Sequence, residues 1–154
     1  MRDNVLTSRE SVSASGRTWC RSFTATEDQA GEARRFLAGI VGNHPATDDA
    51  ITCLAELAAN AILHSRSAQP GGTFSVTLRR SARRIRIEVA DQGGPWGSTM
   101  DDPERGRGLR IVRALSACQG VILVGQVSDP VRRTVWCEIS LDGSASWPGQ
   151  GRPQ

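Results

Sequence analysis

The chain has 154 residues, all 19 of its basic side chains are arginine, and neither lysine nor tyrosine occurs. That length suits one domain with a single core, and the missing lysine excludes Schiff-base catalysis and a GK[ST] phosphate loop. Sixteen acidic residues leave a net charge of only +3 and a pI near 9.0, so a nucleic-acid reading rests on the pI and one arginine cluster, Arg79, Arg80, Arg83, Arg84 and Arg86.

Residues 1–16 are Ser-rich, polar and aperiodic, the composition of a disordered segment. They hold no apolar run for a signal peptide, and no later segment nears the roughly 20 apolar residues of a membrane span. A cytoplasmic protein that does not engage a membrane is expected. Thr18–Thr24 alternates around Trp19 and Phe23 as a first strand. Thr26 then offers an N-cap with Gln29 as capping-box partner. The first helix should run from Glu27 to about Val41 on a stripe of Phe36, Leu37, Ile40 and Val41, ended by Gly42, Asn43 and Pro45. A second helix should start near Thr47 or Asp48 and stop near Ser65, its stripe formed by Ile51, Leu54, Leu57, Ala58, Ala61 and Ile62.

Phe74, Val76 and Leu78 alternate with polar neighbours, as do Ile85, Ile87 and Val89. The two runs predict an antiparallel hairpin whose arginines line the face away from the helices. Residues 91–105 are rich in Gly, Pro and Asp, as a loop should be. Gly106–Cys118 has helical spacing, Val121–Val127 predicts a strand, and Val135, Cys137, Ile139 and Leu141 alternate as the last strand. The order predicts an α+β two-layer sandwich, a mostly antiparallel mixed sheet with helices on one face. The domain spans residues 17–142, and residues 143–154 read as a disordered tail. Cys20, Cys53, Cys118 and Cys137 show no zinc-site spacing and suit small buried hydrophobes in a reducing compartment.

Three polar islands interrupt this scaffold. Glu56 and Asn60 are i and i+4 on the second helix, so they share a face, with alanines between them that permit close approach by another body. A carboxylate and a carboxamide so placed suit an oxygen-ligated metal or a positioned water, or simply a solvated face. Asp91-Gln92-Gly93-Gly94-Pro95 ends a strand in an acceptor-only carboxylate that suits a purine amine, and equally describes an Asp-Gly turn. Arg105-Gly106-Arg107-Gly108-Leu109 opens a helix, where bare N–H groups and the positive dipole end suit a phosphate.

Together, in this order, the islands resemble the Bergerat-type (GHKL) ATP-binding fold, a histidine kinase-like ATPase domain. Glu56–Asn60 looks like its N box, Asp91-x-Gly93 like its first glycine box, and Gly106-x-Gly108-Leu109 like its second. The phrases ELAANAILHS, VADQGGPW, GRGLRIVRALS and RRTVWCEISL are similar to the stand-alone anti-sigma factor/serine-protein kinase type of actinobacteria. The resemblance implies ATP and Mg2+ as cofactors. It implies Glu56 as the catalytic general base, Asn60 as metal ligand, and Asp91 and Gly93 around the adenine. Gly106, Gly108 and Leu109 would then supply phosphate-facing amides, with Arg105 and Arg107 as lid arginines and Thr134 beside the adenine aspartate. The implied partners are a sigma factor and/or an anti-sigma factor antagonist protein, with no direct nucleic acid, and a homodimer is common in that group. This chain departs in its short, acidic lid, Gly94 to Arg105 with Asp101, Asp102 and Glu104, and in Pro95, which stiffens the lid's base. Those departures, with the outward arginines and Trp136, give the alternative of a non-catalytic module that docks partners with weak or no ATP use.

Overall fold

The computed structural model describes residues 9–13, 16–95 and 103–143. Among these residues six strands are present: β1 (Arg9–Ser13), β2 (Gly16–Thr24), β3 (Thr73–Arg80), β4 (Arg84–Asp91), β5 (Cys118–Gly125) and β6 (Pro130–Ser140). They form one sheet in the order β1-β2-β3-β4-β6-β5 with every neighbouring pair antiparallel, so the expected mixed sheet is wholly antiparallel among the described residues. Helices α1 (Glu27–Val41) and α2 (Thr47–His64) cover one face, and α3 (Pro103–Leu115) packs against α2. The result is the two-layer α+β sandwich that the chain order predicts.

Period-two alternation builds the core face of the sheet. Phe74, Val76 and Leu78 of β3, Ile85, Ile87 and Val89 of β4, and Val135, Cys137 and Ile139 of β6 are buried against the helices. Ala33, Leu37 and Val41 of α1 and Ala50, Cys53, Leu54, Leu57, Ala58 and Ala61 of α2 meet them. Phe23 of β2 stacks on Phe74 with ring centroids 5.4 Å apart. Cys53 and Cys137 belong to this core, whereas Cys20 and Cys118 are only half-buried.

Three local expectations fail for identifiable reasons. Residues 9–13 lie inside the segment expected to be disordered, yet they pair with β2 from Arg9↔Cys20 to Ser13↔Gly16. The described side chains of β1 are exposed, so backbone hydrogen bonds to a sheet edge hold it, and composition carries no trace of those. Thr26 occupies the N-cap of α1 with extended backbone, but its side chain makes no capping bond, and Gln29 Oε1 is buried without a partner, so the capping box is absent. Arg80 leaves the open face: it donates to the carbonyls of Ile40, at 2.6 Å, and Val41, at 3.2 Å. A cation at that helix end meets the negative pole of the dipole.

The other hairpin arginines do face away from the helices. Arg86 stacks over Trp136 at 3.9 Å and hydrogen-bonds Glu88 and Glu138. Arg84 also donates to Glu138. Burial disfavours the charged form of Glu138, but the hydrogen bonds from Arg84 and Arg86 outweigh it and hold the carboxyl below its usual range. Its folded-state pKa is therefore lower than its unfolded one. The stabilisation is complete above the ordinary carboxylate pKa near about 4.3, and is lost as pH falls through the lower folded-state value. Glu138→Gln is expected to cost about 1 kcal/mol at neutral pH and almost nothing near about pH 2. Urea unfolding of both proteins at the two pH values checks this.

Candidate functional site

The middle of α2 is unusually small on one side. Ala58 and Ala59 separate Glu56 from Asn60, and the i, i+4, i+8 series Glu56, Asn60, His64 runs along a single helix face. That face meets α3. Glu56, Asn60, His64, Arg107, Gly108 and Leu109 line a cavity of about 290 Å³. The close approach that the alanines permit is made by α3 itself: a Cβ on Gly108 would lie 2.7 Å from Glu56 Oε2. A side chain at position 108 would make the Glu56 carboxylate shift. Asn60 is buried although polar.

Helix α3 starts at Pro103, three residues before the expected Gly106. Proline is preorganised for the first helical position. The Gly, Pro and Asp content that reads as loop therefore conceals a helix entry. This changes the phosphate cradle. Only first-turn N–H groups are free in a helix. Gly108 and Leu109 lie in the second turn, where their N–H groups serve the helix, and Leu109 also packs against the core. Gly106 sits at the end of the first turn. Each helical glycine costs roughly 1 kcal/mol relative to alanine, so this end of α3 is locally weak. Residues 96–102, with the lid aspartates Asp101 and Asp102, and the side chains of Glu104 and Arg105 lie outside the described residues.

Neither Asp91 nor Gly93 lines the cavity, although Arg133 ties Asp91 to the His64 carbonyl at the C-terminal end of α2, the helix end at which His64 lines it. Asp91 ends β4 on the core face, continuing Ile85, Ile87 and Val89. Its Oδ1 accepts from Gly93 N–H at 2.8 Å, and its Oδ2 from Arg133 Nε at 3.2 Å. The two partners of the ion pair have side-chain exposures of 2% and 0%, so solvent screens it little. Arg133 Nη2 also reaches the His64 carbonyl at 3.1 Å. One guanidinium thus joins β6, β4 and the C-terminal end of α2.

Gly93 has φ +71°, and a Cβ there would lie 1.9 Å from the Pro130 carbonyl oxygen. Its close contact is with the chain's own β5–β6 turn. Gly94 N–H bonds the same carbonyl at 2.9 Å, and Arg66 N–H bonds Gly93 O at 2.9 Å. Arg66 also pairs with Asp129. Gln92 and Ser67 complete the stitching through Thr73.

Thr134 does not sit beside Asp91. The register pairs Asp91 with Arg133 and Ala90 with Thr134, so Thr134 shares the opposite sheet face with Trp136 and Glu138. Arg133 is the residue that sequence reasoning missed. Its signal was available: counting back by two from Val135 puts position 133 on the core face, and a buried arginine there requires an acceptor.

The residues at the α2–α3 cavity fit a magnesium-bound polyphosphate. Asn60 offers a carboxamide oxygen, Arg107 a cation, and Glu56 a carboxylate. No cluster of three or more His, Cys, Asp or Glu that could hold a metal occurs among the described residues. Mg2+ characteristically keeps several waters and takes few protein ligands beside phosphate, so a single Asn60 ligand suits it. The base end does not fit as simply, because Asp91 already holds Arg133. Among the described residues, no helix is long and apolar enough to cross a membrane.

Residues 23–118, from the end of β2 to the start of β5, match the family model described as the histidine kinase-like ATPase domain. No curated protein matches the chain.

Proposed function

The chain belongs to the histidine kinase-like ATPase domain family, and on that premise we propose that it is an ATP-dependent anti-sigma factor with serine/threonine-protein kinase activity toward an antagonist protein. Family membership supports an ATP-binding regulatory function. The finer reading is carried by one observation: Glu56, Asn60, Arg107 and Gly108 converge on a single cavity between α2 and α3. Glu56 takes the proton from an incoming Ser or Thr hydroxyl. Asn60 holds Mg2+ through its carboxamide oxygen, and Arg107 offsets phosphate charge. When bound, Mg2+ supplies charge neutralisation for the phosphates. A general base serves transfer, whereas binding alone does not call for one.

A second reading has specific support. The Asp91–Arg133 ion pair and the helical Gly108 amide favour a docking module with weak ATP use. Calorimetric titration with MgATP separates the two. Measurable heat at or below about millimolar ligand, followed by γ-phosphate transfer to a protein captured by pull-down, is the expected result. No heat at that concentration removes the kinase reading and leaves the docking module.

A further inference from the structure

We infer that Arg133 is a specificity-determining residue that masks Asp91, so that the site takes magnesium-bound polyphosphates with little regard for the base attached to them. The inference rests on the nucleotide-binding reading above, in which Asp91 is the acceptor for an adenine amine. Both Asp91 oxygens already hold donors, the Gly93 N–H on Oδ1 and the Arg133 Nε on Oδ2. The Asp91 side chain is only 2% exposed, so a further donor reaches it only by displacing one already there. The guanidinium brings a full charge to that buried carboxylate, whereas an exocyclic amine is a neutral donor, and breaking a buried ion pair costs more than one neutral donor returns, so an adenine does not displace the guanidinium.

Two further contacts keep Arg133 in place. Its Nη2 donates to the His64 carbonyl at 3.1 Å, at the negative end of α2. Strand pairing fixes its backbone opposite Asp91. Among the described residues no such ion pair closes the phosphate end, where Glu56, Asn60 and Arg107 line the cavity of about 290 Å³. Binding energy is thereby concentrated on the polyphosphate.

The test titrates the full chain by calorimetry with the magnesium complexes of ATP, GTP and inorganic tripolyphosphate. The wild type is expected to bind all three within about threefold. Arg133→Thr frees the carboxylate, and is expected to raise ATP affinity about tenfold, one hydrogen bond's worth, with GTP and tripolyphosphate unchanged. If Arg133→Thr does not fold, the wild-type panel alone decides. Wild-type preference for ATP of tenfold or more over both competitors overturns the inference and leaves the nucleotide-binding reading standing. A folded Arg133→Thr with an unaltered panel also overturns it. Failure of every ligand to bind either protein overturns the nucleotide-binding reading and this inference together.

Discussion

Glu56→Gln is expected to lower phosphoryl transfer by a factor of about 10² to 10⁴, the usual worth of a positioned general base, while leaving MgATP affinity within about threefold. The substitution keeps the length and shape of the side chain and removes only its basicity. Shape matters here, because Oε2 is the atom that a Cβ on Gly108 would meet at 2.7 Å. A carboxamide of equal size keeps the α2–α3 contact, so a loss of transfer cannot be assigned to collapse of the cavity. Asn60, one turn further along the same face, is untouched and still offers its carboxamide oxygen. Single-turnover transfer and equilibrium binding must be measured on the same preparations. Transfer that persists at the wild-type rate in Glu56→Gln overturns the assignment of the base. Affinity that falls in parallel with transfer assigns Glu56 to ligand binding instead.

How much of this was legible depends on what holds each part together. Apolar periodicity marks α1 at its observed limits, Glu27 to Val41, and the alternation of Phe74, Val76 and Leu78 against Ile85, Ile87 and Val89 marks the hairpin. Those signals are strong because burial of one face is what selects them. The shared face of Glu56 and Asn60 is also legible, since helical geometry alone brings i and i+4 together. β1 is not legible, because backbone pairing holds it and its described side chains are exposed. The start of α3 is misread because Pro103 serves equally as a loop residue and as a first helical residue. Thr134 is misplaced by one position in register, and one position turns a strand residue to the opposite face. The Asp91–Arg133 pair spans 42 residues in sequence. No local pattern reaches that far; it follows only from β6 inserting between β4 and β5.

That pair sets the largest expected stability effect. Arg133→Met alone, or Asp91→Leu alone, is expected to destabilise the fold by about 3–5 kcal/mol, because each leaves one buried charge without its counter-ion. For a domain of this size that corresponds to a fall in Tm of roughly 10 °C. The double variant Asp91→Leu with Arg133→Met is expected to recover a large part of the loss. It removes both charges and fills the space with apolar groups of similar volume, an exchange that is often neutral or favourable for a buried pair. Recovery will be incomplete, because Gly93 N–H loses its acceptor on Oδ1 and the His64 carbonyl loses a donor. Thermal unfolding of the four proteins gives the coupling energy directly. Additive losses in the double variant would mean that the two groups act independently, and that Arg133 is held by His64 and its strand rather than by Asp91. Strong coupling would make the ion pair a joint of the fold. Strand β6 would then be anchored to β4 and α2 through the same three groups, Asp91, Arg133 and the His64 carbonyl.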